Sequence, residues 1–393
     1  MTIQWVSADL LTGRVIADLP GFDAQWPLRR TISNYETATG TLHLIDQSPV
    51  NWERAIYEGG SLLFCYDDGD PLQAILWCGY VVGTPSRSTS SNDVTVTLAT
   101  FEAILDRVYV GDTTYLTTQH RDDIIADLIN SWFIPGSGIS YLQLAYTAGN
   151  GPFPVAMPNP PVANAALVFQ NTDNATVKAR IDQVCAQLGG EYTVDWAWAN
   201  SNQNIVPTIR FSGRIGQKAA AGLAPGVTFE MPGVLISAAQ SKDYSQGAGA
   251  NKVTPYSTGQ GSNTTPFGTP VLGPVDGRPT WEYRYQPAPS LTAAQLQQYA
   301  TQAVGVLAPG KQTVTLVAAT ARTAGRRYGT DWMLGDDIGY NIPASYLDER
   351  GNLVAVRAFP NGLSGVGRVI GFELTDISIA PLLADATIYT WSG

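Results

Sequence analysis

Apolar and polar residues alternate with period two over most of this chain. Thr41-Leu42-His43-Leu44-Ile45, Val94-Thr95-Val96-Thr97-Leu98 and Gln312-Thr313-Val314-Thr315-Leu316-Val317 are examples. Such runs, bounded by clusters of Gly, Pro, Asn and Asp, predict half-buried strands. With 39 Gly and 25 Pro to supply turns, residues 1–111 read as a β-barrel or sandwich.

Three stretches switch to helical spacing. Ile124, Ile125, Leu128, Ile129 and Trp132 make one apolar face, and Val177, Ile181, Val184 and Leu188 make a second that stops at Gly189-Gly190. Leu296, Ala300, Ala303 and Leu307 make a third, with Thr292 and Gln295 in capping-box relation and Pro309-Gly310 beyond its end. All three read as structural helices packed on sheets.

Two segments lack either period. Residues 147–165 are rich in Gly and Pro and predict a linker or extended loop. Residues 245–280 are rich in Gly, Ser, Thr and Pro with few large apolar groups, so they read as a long irregular loop that orders against a partner. The resulting division is a first β-barrel over 1–111, a small helical insert with a Pro-rich loop over 112–165, an α/β insert over 166–215, and a second β-barrel over 216–393 that carries loop 245–280 and helix 292–307. The fold class is therefore mainly β with small α+β insertions.

The two ends of the chain share a pattern. Tyr57-Glu58-Gly59-Gly60-Ser61-Leu62-Leu63-Phe64 opens a strand that Trp77-Cys78-Gly79-Tyr80-Val81-Val82 answers. Met333-Leu334-Gly335-Asp336-Asp337-Ile338-Gly339-Tyr340 opens another, answered by Val369-Ile370-Gly371-Phe372-Glu373-Leu374. Two readings stand, convergence of two hairpins or an internal duplication of one barrel.

Composition narrows the function classes. Charged residues are 14% of the 393, against about 25% in ordinary domains, while apolar content is normal at 44%. Disorder is excluded on that balance, and no apolar run approaches the ~20 residues of a spanning helix, so no stable membrane insertion is expected. With 10 Trp, 18 Tyr and 11 Phe, low charge predicts a surface that is either neutral and polar or covered by partners. A net charge of −10 disfavours a nucleic-acid binder but not a channel through which nucleic acid passes. Cys65, Cys78 and Cys185 are too few for a disulfide framework and read as buried small hydrophobes of a protein folded in the cytoplasm. A hairpin closing at Asp67-Asp68-Gly69-Asp70 places Cys65 opposite a residue near 74. Met1-Thr2-Ile3-Gln4-Trp5 has no basic region or apolar run of a signal peptide.

Motifs for chemistry are missing. His43, between Leu42 and Leu44, reads as an exposed strand residue, and His120 as a solvated helix terminus. There is no H-E-x-x-H, C-x-x-C or G-x-S-x-G, and Gly362-Leu363-Ser364-Gly365 has the wrong spacing for a nucleophile elbow. Gly365-Val366-Gly367-Arg368 lacks the third Gly and the helix of a dinucleotide site. An EF-hand starting at Asp67 wants Glu at 78, where Cys stands. Cys185 sits beside an apolar stripe rather than a histidine. No catalytic residue, metal or cofactor is assigned. The charged pairs Arg29-Arg30, Arg326-Arg327 and Asp336-Asp337 remain as interface candidates, contacts between subunits or solvated strand ends.

Several of these segments together resemble a known family. Trp5-Val6-Ser7-Ala8-Asp9-Leu10-Leu11-Thr12-Gly13-Arg14-Val15, Leu19-Pro20, Trp26-Pro27-Leu28-Arg29-Arg30, Trp77-Cys78-Gly79-Tyr80-Val81 and Leu105-Asp106-Arg107-Val108-Tyr109-Val110-Gly111-Asp112 are similar to minor tail proteins of long-tailed phages of actinobacteria. Trp332-Met333-Leu334-Gly335-Asp336-Asp337-Ile338 and Gly367-Arg368-Val369-Ile370-Gly371-Phe372 resemble the second barrel of phage baseplate hub proteins. The resemblance implies a virion protein of the tail tip, made in the host cytoplasm: a homotrimer whose six tube-like barrels form a ring beneath the hexameric tube. Its implied partners are a distal tail protein hexamer, the tape-measure protein, and tail fibres or downstream minor tail proteins, with DNA only in transit. Two other classes remain, a receptor- or carbohydrate-binding tail protein with aromatics at loop tips, and a cell-wall hydrolase built on two carboxylates.

Overall fold

A computed structural model describes residues 3–44, 51–70, 72–88, 90–154, 162–199, 202–219, 225–245, 248–257, 268–274, 277–286, 293–319, 326–348, 350–376 and 378–385. The chain opens with β1 (Ile3–Asp9), β2 (Val15–Asp18), β3 (Phe22–Ala24), β4 (Leu28–Thr31) and β5 (Thr37–His43). A short helix α1 (Trp52–Ala55) and strands β6 (Ser61–Asp67), β7 (Ile75–Arg87) and β8 (Asp93–Thr100) follow. All of these strands except β4 form one antiparallel sheet in the order β2-β1-β6-β7-β8-β5-β3. Its two edge strands, β2 and β3, are separated in sequence only by Leu19-Pro20-Gly21. Four Cα steps reach at most about 15 Å, whereas the edges of a flat seven-stranded sheet lie about 29 Å apart. The sheet must therefore curl, and Leu19 continues its ladder by donating its N–H to Trp5 O at 2.8 Å.

The insert follows. It contains β9 (Thr113–Leu116), helix α2 (Arg121–Asp127) running through a π-helical turn (Leu128–Phe133) into α3 (Ile134–Ser137), β10 (Gln143–Ala145), β11 (Ala165–Phe169), α4 (Val177–Leu188), β12 (Glu191–Ala199) and β13 (Asn204–Ser212). Helix α4 spans the predicted stripe and ends where Gly189 takes φ +64°. Thr176 caps its start through Ala179 N–H.

The remaining residues form β14 (Thr228–Glu230), β15 (Leu235–Asp243), β16 (Lys252–Pro255), β17 (Val271–Leu272), β18 (Glu282–Tyr285), α5 (Ala293–Leu307), β19 (Lys311–Ala319), β20 (Asp337–Ile342), β21 (Ser345–Leu347), β22 (Leu353–Ala355), β23 (Leu363–Leu374) and β24 (Ser378–Asp385). The second large sheet runs β14-β20-β23-β24-β19-β15, and β4 from the other end of the chain joins it alongside β23, pairing Arg30 with Phe372 and Arg29 with Glu373. The predicted helix 292–307 is present as α5; Thr292, and with it the proposed capping box, lies outside the described residues. Within 245–280, read above as an irregular loop, β16 and β17 pair and β18 completes a three-stranded sheet under α5. The sequence signal there is weak because the cluster is small: Val253 packs with Tyr285, Ala300, Ala303 and Val304.

Two cores flank the first sheet. Val6, Leu62, Phe64 and Cys78 face the insert, while Trp5, Leu63, Cys65 and Trp77 face the second sheet. Strands covered on both sides lose their alternation, which is why Leu62-Leu63-Phe64-Cys65 is a continuous apolar run, whereas Val94-Thr95-Val96-Thr97-Leu98 keeps period two. The core between the sheets is continuous: Trp5, Phe22 and Trp77 from one side share it with Phe229, Trp332 and Phe372 from the other. All three cysteines are free and buried. Cys65 lies opposite Trp77, and not near 74 as the tight turn predicts, because the Asp70 carboxylate holds a wider loop through Leu72 N–H and Ala74 N–H. The answering glycines play one role in both sheets: a Cβ on Gly79 would stand 2.9 Å from Ala99 O, and one on Gly371 2.8 Å from Arg30 O.

One core shared by two sheets predicts one cooperative unfolding transition. Calorimetry should give a single peak, and Phe372→Ala should lower its midpoint through a loss of about 3–5 kcal/mol; two peaks, with only one moved by Phe372→Ala, would show independent barrels.

Candidate functional site

The insert's long strand β12 pairs with β13 on one side and would expose its backbone on the other. Side chains and backbone of the first sheet's connections satisfy that edge. Ser33 N–H donates to Tyr192 O at 2.9 Å, and Ser33 Oγ accepts from Tyr192 N–H at 3.1 Å. Glu102 Oε1 accepts from Val194 N–H at 3.1 Å, and Arg30 Nη2 donates to Val194 O. Buried backbone groups left unpaired are costly, so Arg30 and Glu102 serve here as a substitute strand.

Around them a network of charges joins the first sheet, the insert and the second sheet. Arg30 is 5% exposed; it donates to Tyr328 Oη at 2.9 Å and Thr193 Oγ1 at 3.2 Å, and lies 3.8 Å from Asp195. Arg210 pairs with Asp195 and donates to Leu334 O at 3.1 Å. Arg368 makes a two-pronged pair with Glu191, Nη1 to Oε1 at 2.6 Å, and also reaches Gly335 O and Ile215 O. Arg214 pairs with the buried carboxylate of Asp337. Burial works against the Arg30 charge, but the nearby Tyr328, Glu102 and Asp195 outweigh it and hold its pKa above the ordinary value. Burial pushes the Glu102 carboxyl above the usual range, opposed by the Arg30 guanidinium. A cleft lined by Arg30, Asp195, Trp196, Trp198, Tyr328 and Met333 opens at the margin of this network.

Each of the six charged interface candidates has a partner within the chain. Arg29 pairs with Glu373 at 2.8 Å across the β4–β23 ladder. Arg326 Nε donates to Thr228 O at 2.7 Å, and Arg327 lies 3.5 Å from Asp70 of the first sheet. Asp336 accepts from Gln217 N–H at 2.6 Å and Met333 N–H at 2.8 Å. Arg30 and Asp337 are buried, so the reading of Arg30 as a solvated strand end does not hold. His43 is exposed as expected and meets Asp93 at 2.6 Å. His120 is more than a solvated terminus: its ring lies tilted with its centroid 4.1 Å from that of Phe153, and Nδ1 meets Gly151 O at 2.9 Å. Glu102, Glu191, Asp195, Arg210, Arg214 and Arg368 escaped the sequence reading. For those that lie on strands the one signal is a lone charge among apolar neighbours, as in Gly367-Arg368-Val369-Ile370.

No family model matches the sequence, and no curated protein matches it. Solved structures do share the fold over its whole length. The tail protein from Neisseria meningitidis MC58 is similar at TM-score 0.56 and 14% identity, covering 98% of this chain and 98% of that one. The 43 kDa tail protein of prophage MuSo2 from Shewanella oneidensis gives 0.51 and 12%, covering 99% of this chain and 95% of that one. The PdpA–VgrG complex of Francisella gives 0.51 and 8%, with 98% of this chain on 58% of that one. The chain thus has a mainly β fold that phage tail proteins also adopt, and the likeness is one of fold.

Removing one partner of a buried ion pair strands the other charge. Arg368→Ala should cost about 3–5 kcal/mol of unfolding free energy by denaturant titration; a loss under about 1 kcal/mol, the range of exposed pairs, would mean Glu191 is solvated. Glu102 gives a signed pH prediction. The native chain holds its proton to higher pH than the unfolded chain, whose glutamates titrate near about 4.3. Native stability therefore falls as pH rises from there through the raised native value. Glu102→Gln should gain stability relative to the parent across that interval, and a difference independent of pH would contradict it.

Proposed function

We propose that this protein is a structural component of a phage tail tip, a hub that closes the distal end of the tail tube. The observation that carries the reading is the pair of seven-stranded sheets, the first of them curled, fused in one chain, in a fold shared end to end with two tail proteins. Three such chains present six sheets, which matches the symmetry of a hexameric tube. On this reading the chain is a homotrimer in the virion. It meets the distal tail protein and the tape-measure protein above and carries fibres or further minor tail proteins below, while DNA passes through without being bound. The actinobacterial host group comes from the sequence resemblance alone. Among the interface candidates, Arg29, Arg326, Arg327 and Asp336 are the ones proposed to contribute between subunits; Arg30 and Asp337 act within the chain.

The arrangement of aromatics favours this over sugar recognition. Among the nine described tryptophans only Trp281 is exposed by more than a third, at 41%, whereas a carbohydrate binder would carry several at loop tips. The hub role makes no use of a nucleophile or a carboxylate pair, so no enzymatic activity is proposed.

Mass measurement of isolated tail tips should return copies of this chain in multiples of three. Any other stoichiometry removes the ring model, and binding of the isolated chain to host cell wall would favour the receptor-binding alternative.

A further inference from the structure

Residues 147–154 form a strap laid across the first turn of α2. The strap carries no charged side chain, and Pro154 is the one residue it buries. Contacts with four consecutive residues, His120 to Asp123, hold it in place. Arg121 N–H donates to Pro152 O and Asp122 N–H to Asn150 O, both at 3.3 Å. Asp123 accepts from Gly149 N–H at 3.0 Å, and Asp122 accepts from Asn150 Nδ2 at 3.1 Å. A carbonyl can only accept, so His120 Nδ1 donates to Gly151 O at 2.9 Å, and the same ring lies against the half-exposed Phe153. Gly151 rests so closely on the buried Arg121 that a Cβ there would stand 2.9 Å from Arg121 Cβ. An attachment made of a few polar bonds with little apolar burial opens locally.

Asn150 stands at the centre of these contacts, and the residue after it is glycine. In an Asn-Gly pair no side chain shields the glycine nitrogen, which can attack the side-chain carbonyl of the asparagine. We propose that Asn150 is a modification site, deamidated through a cyclic imide, and that its conversion frees the strap from α2. The Gly151 nitrogen bonds to Asn150 Cγ, the Cγ–Nδ2 bond breaks, and the displaced amide nitrogen takes up the Gly151 proton and leaves as ammonia. One water then opens the imide at either carbonyl, giving aspartate or isoaspartate with no change of oxidation state. The second Asn-Gly pair of the chain, Asn361-Gly362, is an internal reference. There Gly362 N–H donates to Phe359 O at 2.9 Å in a turn, and a Cβ on Gly362 would stand 3.0 Å from Ile342 O. Attack at that pair must first break the turn. In the strap it is the carbonyl of Gly151 that is held, and Asn150 is exposed. Conversion then acts on the strap in two ways. It replaces the donor Nδ2 with a carboxylate facing Asp122 and Asp123, where Arg121 is already bonded to Asp122 at 2.7 Å, and like charges sharing a site repel. The isoaspartate product also adds a methylene to the main chain, which shifts Gly151 O relative to His120.

Ageing the full-length chain at mildly alkaline pH, followed by peptide mapping and amide hydrogen exchange, tests both the site and the release. The mass gain of an amide turned into an acid, with isoaspartate fragment ions, should appear at Asn150 several-fold sooner than at Asn361. In denaturant the two should convert alike, because only the fold separates them. Chains converted at Asn150, and Asn150→Asp made directly, should lose exchange protection at Asp122 and Gly149 while the two large sheets keep theirs. Asn150→Gln, which keeps an amide but does not close the same five-membered ring, should stay unconverted. Conversion at Asn361 first, or none at Asn150 over a span in which the denatured chain converts, overturns the site. Conversion at Asn150 with Asp122 and Gly149 still protected, or with protection lost across the sheets as well, overturns the release of the strap.

Discussion

The organisation of the molecule depends on one backbone pairing, that of Leu28–Thr31 with the end of β23. The chain leaves the first sheet after Ala24, contributes four residues to a sheet whose other strands lie 200 residues or more further on, and returns to the first sheet at Thr37. Every neighbouring interaction follows from that excursion. It brings Arg29 onto Glu373, sends Arg30 inward to the insert, and sets Arg29 O where Trp77 Nε1 donates to it at 3.0 Å. The apolar residues flanking the strand then have no surface to bury except a common one. Trp5, Phe22 and Trp77 share one core there with Tyr328, Trp332 and Phe372.

The buried charges are a consequence of the same geometry. A β12 edge facing the first sheet needs donors and acceptors, and Arg30 and Glu102 supply them from residues the sheet has already placed nearby. Buried ion pairs add little net stability over apolar packing; what they fix here is the relative position of three units, since Arg30, Arg210, Arg214 and Arg368 each reach across a boundary. A network with directional bonds sets the angle between the two sheets in a way that apolar contact alone does not.

Much of this architecture is legible in the sequence. Alternation marks β5, β8 and β19, and the stripe from Val177 to Leu188 with Gly189 beyond it gives α4 to the residue. What is not legible is nonlocal. Leu28-Arg29-Arg30-Thr31 looks like a solvated strand end because nothing nearby reveals that its partner is 340 residues away. Doubly covered strands lose the period that would announce them, and the sheet around Val253 is too small to leave a pattern. The low charged fraction, 14%, is now easier to place. Many of those charges are paired inside the chain, Arg30, Arg210, Arg214 and Arg368 among them.

The most direct test of the interlocked arrangement is to express residues 1–215 and 216–393 as separate chains. The second lacks Leu28–Thr31 and half of the shared core, and the first loses the strand that β4 pairs with. Hydrogen exchange should show neither protected alone, and protection of both on mixing. A stable, cooperatively folded 216–393 by itself would contradict the account.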